Sequence, residues 1–284
     1  MELLKTHALT PEQIADIRAL EEACRRAEPF GHQAFLSAEL NFHPEMDCFF
    51  LLYEGADPAG FLSLFQPEQA QAELTALVHP AYRRRGCFTR MLAAARAELA
   101  RCGVPGLLYC HEPVCKSGAA VLKTLSVALD HSEFLLEYDR ALPPAPAPAG
   151  LRLERAGRAL LPAVVSLSAA AFGASEADTA PIVERFFSLD TVVPYAAWLD
   201  GALAGHLCRN IEGGEVYLCN VCVHPAHQGK GVGRGILLLA LERALAETEG
   251  PIRLEVDSEN PRAHRLYLRC GFREKTRCDY YSEI

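Results

Sequence analysis

The stretch LVHPAYRRRGCFTRML, which starts at Leu77, returns as CVHPAHQGKGVGRGIL from Cys222. His79 and His224 stand 145 positions apart, and no gap is needed across the window. Val-His-Pro-Ala, the Gly86/Gly231 pair and the Leu92/Leu237 pair coincide. A chain that repeats itself at this distance is built of two similar units, each with a core of its own. Between the copies runs ALPPAPAPAG, residues 141–150. Alternating Pro and Ala suit an extended, semi-rigid connector and neither a helix nor a central strand. The expected division is a first domain at 1–140, a linker at 141–150 and a second domain at 151–284.

Composition narrows the class of protein. Half of the 284 residues are hydrophobic and 23% are charged, which is the make-up of a globular chain. A formal net charge of −8 argues against nucleic acid as the main partner, although a local basic cluster at a small anion is compatible with it. The 11 cysteines are odd in number and follow no disulfide framework. MELLKTHALTPEQIADIRAL reads as a polar start followed by an amphipathic helix, unlike a secretory leader, and no apolar run reaches membrane-spanning length. The expectation is a cytoplasmic protein with no membrane partner, its thiols mostly buried.

Pattern gives the second half a coarse structure. LRLER (151–155) alternates as a strand, LLPAVVSLSAAAF carries an apolar helical face, and APIVERFFS suggests a further short helix. PYAAWLDG, ALAGHLCRNIEG and EVYLCNVCVHP are three strands separated by Gly, Asp and Pro turns. RGILLLALERALAET is a helix with Leu237, Leu241, Ala244 and Leu245 on one face. IRLEVDSE is a strand, Asn260 and Pro261 start another helix, and FREKTRCDYYSEI closes as a strand. The class is α/β, or α+β by some schemes, with a mixed sheet.

Four glycines, Gly229, Gly231, Gly233 and Gly235, fall in seven residues between a β-branched run and a helix. Glycines clustered there let the backbone approach a ligand, and the helix start offers N–H groups and positive partial charge to a phosphate. Two familiar phosphate loops do not fit. GxxxxGK[ST] is missing, and GxGxxG matches only as far as Gly231. The string QGKGVG (228–233) instead follows [QR]xxGx[GA]. It is preceded by VCVHPAHQ, of the form V-x-V-x-P-x-x-[QR], and followed at 254–272 by LEVDSENPRAHRLYLRCGF, which contains N-x-x-A-x-x-L-Y-x-x-x-G-F. Together these resemble the signatures of the GCN5-related N-acetyltransferases, the GNAT family.

The resemblance implies two GNAT folds in tandem, each a mixed, mostly antiparallel sheet flanked by helices, and acetyl-CoA as cofactor. It implies that Val221, Cys222, Val223, Gln228, Gly229, Lys230, Gly231, Val232, Gly233, Arg234 and Asn260 bind that cofactor, and that the Tyr267 hydroxyl protonates the departing thiolate. Asn260, Ala263 and Tyr267 do share one helical face, although a core tyrosine would also sit there.

Transfer to an amine also needs a base, since an alkyl amine is mostly protonated at neutral pH. In IRLEVDSE, Ile252, Leu254 and Val256 take one face and Glu255 the other, where a mid-strand carboxylate asks for a reason. The LEVxxxN spacing is similar to that of ribosomal-protein alanine N-acetyltransferases, whose equivalent glutamate takes the amine's proton. A solvated or ion-paired Glu255 is the alternative; Glu215 or Asn220 working through water are rival bases. Cys219, Cys222, His224 and His227 have no second ligand pair at zinc-site distance, and Cys219 and Cys222 are expected on opposite faces of their strand. No metal is expected.

In the first half Phe88 stands at the Gly233 position, and SGAAVLKTLS aligns with NPRAHRLYLR, which puts Ser117 at Asn260, Thr124 at Tyr267 and, loosely, Glu112 at Glu255. The expected function is acetyl transfer to the primary amine of a small molecule or peptide N-terminus by residues 151–284, with the first half structural or regulatory. A non-enzymatic acyl-CoA sensor is the competing reading. DYY at 279–281 is similar to the terminal tyrosines of peptide N-terminal acetyltransferases.

Overall fold

The computed structural model describes residues 1–142, 146–147, 149–212 and 214–284. Positions 143–145 and 148 of the proposed connector therefore lie outside the described residues. The first half runs β1 (Glu2–Thr6), α1 (Pro11–Ala27), β2 (Phe49–Glu54), β3 (Asp57–Phe65), β4 (Gln71–Val78), α2 (Cys87–Cys102), β5 (Gly106–His111), α3 (Lys116–Leu122) and β6 (Val127–Tyr138). The second runs β7 (Leu151–Arg155), α4 (Leu161–Phe172), α5 (Glu176–Phe186), β8 (Val192–Leu199), β9 (Ala202–Glu212), β10 (Glu215–Val223), α6 (Val232–Glu247), β11 (Ile252–Asp257), α7 (Pro261–Arg269) and β12 (Phe272–Glu283).

Local chemistry marks these boundaries. Thr10 and Gln13 form a reciprocal capping box at the start of α1, Ser175 caps α5, and the Asn260 Oδ1 accepts the Ala263 N–H at 3.0 Å to open α7 behind Pro261. The polar start expected at the N-terminus is in fact the strand β1, which pairs with β2 from Glu2 opposite Tyr53 to Thr6 opposite Phe49. Five residues are too few to show a period, so the pairing, which is non-local, was not visible in them.

The chain forms two compact units, and they are not the two sequence halves. One is Met1–Ser132 with Thr276–Ile284; the other is Glu133–Lys275. In the first unit the strand order is β1-β2-β3-β4-β5-β12, antiparallel throughout except for the parallel pair β4/β5. In the second it is β7-β8-β9-β10-β11-β6, again antiparallel except for β10/β11. The sixth strand of each sheet thus comes from the other half of the sequence. Leu108–His111 of β5 receive Asp279–Ser282, and Arg253–Asp257 of β11 receive Glu133–Glu137. Each exchange covers a sheet edge whose N–H and C=O groups would otherwise stand open.

Each unit has its own core. Phe49, Phe50, Phe61, Leu62 and Met91 fill the first; Ile236, Leu237, Leu241, Ile252, Leu254 and Phe272 fill the second. Helix α6 packs on β7, β9 and β10, while α4 packs on β9 and β10. The DYY tyrosines belong to the first unit, with Tyr280 opposite Cys110 and Tyr281 opposite Tyr109.

Because strands β6 and β12 are exchanged, cutting the chain within 141–150 should not separate its halves. A protease site engineered there is expected to give fragments that co-elute in native size-exclusion chromatography and part only in denaturant. Separation in native buffer would mean that the exchanged strands contribute little to cohesion.

Candidate active site

The second unit opens where its two parallel strands part. Strand β10 meets β11 at only two positions, Val216 with Ile252 and Tyr217 with Arg253. At that closed end Arg253 bridges Glu215 at 2.7 Å and Glu137 at 2.9 Å, tying β10, β11 and β6 together. Further along β10 the register with β9 shifts between Cys219 and Cys222, and Asn220 takes φ 49°. An extra residue is accommodated here as a β-bulge, which re-aims the side chains beyond it.

The bulge overturns one expectation. Cys219 lies opposite Cys208 and Cys222 opposite His206, so both cysteines face the side on which α4 packs. Counting two residues per repeat put them on opposite sides because it had no place for the inserted residue. On this face the Cys222 Sγ lies 3.6 Å from the Ser168 Oγ of α4, and His206 holds the Tyr195 carbonyl at 2.8 Å. Burial pushes the Cys222 thiol up to about 11 and His206 down to about 4, so both side chains are uncharged at neutral pH. Among the described residues, no three potential metal ligands converge.

Beyond Val223 the chain makes a short 3-10 turn, Pro225–His227, and enters the glycine loop. His224 closes the turn by accepting the Ala226 N–H on its Nδ1 at 3.2 Å. The Gln228 amide donates back to the Val223 carbonyl at 3.1 Å and accepts from Arg262 of α7 at 3.1 Å. Gly229 and Gly231 have φ of 76° and 81°, a region that costs other residues about 1 kcal/mol or more, and nothing stands within 4 Å of where a Cβ would be. Gly231 is the N-cap of α6 and provides no side-chain hydrogen bond, so the first-turn N–H groups are left for a ligand. At Gly233 a Cβ would come within 3.3 Å of Leu266 and 3.4 Å of Val223. Open space, bare N–H groups and a close approach together fit a pyrophosphate.

Of the other residues singled out in the sequence, Lys230 reaches its own loop, donating to the Ala226 carbonyl at 2.8 Å, and the charge of Arg234 partly offsets the burial that raises the Cys270 thiol. Tyr267 is 7% exposed, its ring edge-on to Phe272; burial pushes its hydroxyl up to about 12, with Cys270 and Cys222 adding to the shift. On β11, Ile252, Leu254 and Val256 are buried while Arg253 and Glu255 are half-buried on the other face. Tyr267 feels the charge state of Cys222, and Tyr217 that of Glu255. Tyr217 was not singled out from sequence. The apolar spacing of β10, Val216 and Leu218 then Val221 and Val223, carries the signal: a step of three among steps of two.

The first unit keeps the loop and alters its surroundings. His79 accepts the Ala81 N–H at 3.2 Å, the Arg83 guanidinium donates to the Val78 carbonyl at 3.2 Å, and Arg84 and Gly86 have φ of 65° and 77°. Strand β4, however, stays in register with β3 from Glu73 to Val78 and with β5 over four pairs. Residues 28–32 bond to the segments that end or follow these two strands. Glu28 accepts from Arg83 at 2.8 Å, from the Ser117 N–H at 2.9 Å and from the Ser117 hydroxyl. Glu112 accepts the Gly31 and His32 N–H groups, both at 2.8 Å, and the Thr276 hydroxyl. Burial works to raise the Glu112 pKa, but hydrogen bonds from His32, Thr276 and these N–H groups outweigh it and hold it at about 2. Glu112 is a structural anion.

Comparison with known proteins agrees with this arrangement. The acetyltransferase (GNAT) family model matches residues 14–119 and again 161–272. A mycothiol acetyltransferase of Thermobispora bispora is 30% identical over 93% of this chain and 93% of its own length. One from Clavibacter sepedonicus is 28% identical over 93% of this chain and 90% of its own. Among solved structures, a GCN5-related N-acetyltransferase from Sphaerobacter thermophilus shares the fold with a TM-score of 0.75 at 16% identity, over 99% of this chain and 95% of that one. A tandem GNAT protein from the clavulanic acid biosynthesis pathway does so with a TM-score of 0.71 at 19% identity, over 99% and 98%. With both halves matched and the fold repeated twice, the chain belongs to the acetyltransferase (GNAT) family, as a tandem member and an acyltransferase.

Proposed function

We propose that the chain transfers the acetyl group of acetyl-CoA to the primary amine of a small molecule or peptide N-terminus, and that the chemistry lies in the second unit. The observation that carries the location is the bulge at Asn220, against a β4 that remains in register through the equivalent Thr75. The stretch at 28–32, with Glu28 joining Arg83 to Ser117 in the first unit, supports the same choice.

Coenzyme A presents the acetyl group as a thioester, with a thiolate as leaving group. Loop 228–234 and the bare first turn of α6 hold its pyrophosphate; Val221, Cys222, Val223 and Asn260 line the arm. Backbone N–H groups at the bulge polarise the carbonyl oxygen. Glu255, directly or through one water, takes a proton from the acceptor's ammonium so that the nitrogen lone pair can attack. As the C–S bond breaks, Tyr267 donates its proton to the thiolate sulfur, and the second proton lost from nitrogen as the amide forms restores the phenol directly or through solvent. A phenol held at about 12 stays protonated across the working pH range and is lost as an acid only as pH rises through that value. An assay of thiol release with alkyl amines, amino sugars, peptide N-termini and the acceptor of the mycothiol acetyltransferases tests the function and ranks the acceptors.

Four substitutions test the assignments. Gly231→Asp places a side chain and a negative charge at the loop, and calorimetric affinity for coenzyme A should fall at least about tenfold, near 1.4 kcal/mol. Unchanged affinity in the folded variant would remove the loop from the site. Tyr267→Phe should lower kcat by roughly ten- to a thousand-fold, while Thr124→Ala stays near wild type; the reverse ranking would move the chemistry to the first unit. Glu255→Gln should lower kcat/KM about a hundredfold at neutral pH. That loss should shrink as pH approaches the amine's own pKa of about 10, where solvent supplies the neutral nucleophile. A loss that persists at high pH would make Glu255 a structural carboxylate.

A further inference from the structure

Tyr217 is the last residue of β10 to pair with β11, and it stands on the face of the sheet that carries Glu255. Its Cα partner is Arg253, two residues before Glu255, so its side chain and that of Glu255 lie on adjacent strands with the same orientation. The Tyr217 hydroxyl is shut off from solvent. Within the described residues it completes no hydrogen bond of ordinary geometry, yet the Glu255 carboxylate is close enough to act on it.

A buried hydroxyl that completes no bond costs folding free energy, and a phenylalanine of the same shape would avoid that cost. The hydroxyl therefore calls for a role other than stability. Burial, followed by the Glu255 charge and then that of Glu133, pushes the Tyr217 pKa well above the ordinary phenol value. The group remains a donor, and a carboxylate is the acceptor it faces. Glu133 reaches this place on exchanged strand β6, where it stands opposite Asp257.

We propose that Tyr217 is a positioning residue for Glu255: its hydroxyl donates to one carboxylate oxygen and leaves the other directed at the acceptor amine. The inference rests on the reading of Glu255 as the base. Proton transfer requires the receiving oxygen within hydrogen-bond reach of the ammonium or its bridging water, and a carboxylate free to rotate spends less time there. A donor bonded to one oxygen removes that freedom. No bond is made or broken at Tyr217, which keeps its proton throughout.

A double-mutant cycle tests this with Tyr217→Phe, Glu255→Gln and the pair, assayed by thiol release with acetyl-CoA and the fastest acceptor of the amine and peptide panel. Tyr217→Phe should still fold as the wild type does, read by circular dichroism. It should lower kcat at least about fivefold and leave KM for acetyl-CoA unchanged, because the loop and Asn260 are untouched. In the Glu255→Gln background the same change should have less than about a twofold effect, since there is no base left to orient. Equal losses in both backgrounds, or full activity of Tyr217→Phe beside an impaired Glu255→Gln, would overturn the positioning role alone. Full activity of Glu255→Gln would overturn the base assignment and this inference with it.

Discussion

The second unit depends on the short reach of one parallel pairing. Strands β10 and β11 hold together through Val216–Ile252 and Tyr217–Arg253 and then part. Parting two neighbouring strands inside a sheet leaves polar backbone groups without their ladder partners, a cost that something else must offset. Arg253 supplies part of the offset, because its half-buried guanidinium spans Glu215 and Glu137 and fixes the point from which the strands diverge. Breaking a charge network of this kind by removing one member leaves the others stranded in a poorly solvated place. The bulge at Asn220 follows six residues into β10, and Arg262 of helix α7 bonds Gln228 of the glycine loop.

The two units separate what is general in such a loop from what is particular. A histidine that caps its own turn, a side chain that returns to the strand's last carbonyl, and two residues in the left-handed region recur at nearly the same angles in both. None of this requires the same residues: Arg83 does with a guanidinium what Gln228 does with an amide, and Arg84 takes the conformation that glycine takes more easily at 229. Backbone geometry has outlasted side-chain identity. Around the loop the divergence is larger, and carboxylates of the first unit, Glu28 and Glu112, bind the chain's own N–H groups and hydroxyls.

Much of this was legible in the sequence, for physical reasons. The helix start at Asn260 announces itself because a capping side chain acts over three residues, whereas α5 begins behind Ser175, ahead of the stretch APIVERFFS in which its apolar spacing shows. The orientation of Glu255 followed from a period of two on a regular strand, and the duplication exposed the repeated loop. Three features escaped. Strand β1 is too short to show a period. The bulge inserts a residue that strict alternation has no place for, so alternation sets Cys219 and Cys222 on opposite faces. The exchange of β6 and β12 is a pairing choice between distant segments, and neither strand's own pattern names its neighbour. The same exchange sets the tyrosines at 280 and 281 beside β5.

Strand exchange changes what duplication means for this chain. When a gene for one domain is copied in tandem, either copy is ordinarily free to decay or be lost once the other suffices. Here the edge of β11 is covered by residues 133–137, which are encoded before the connector, and the edge of β5 by residues 279–282, encoded at the far end. Deleting either copy would strip the survivor of a strand and expose a sheet edge to self-association. The first copy is therefore tied to the second whatever chemistry either performs, because its last strand is part of its sibling's body.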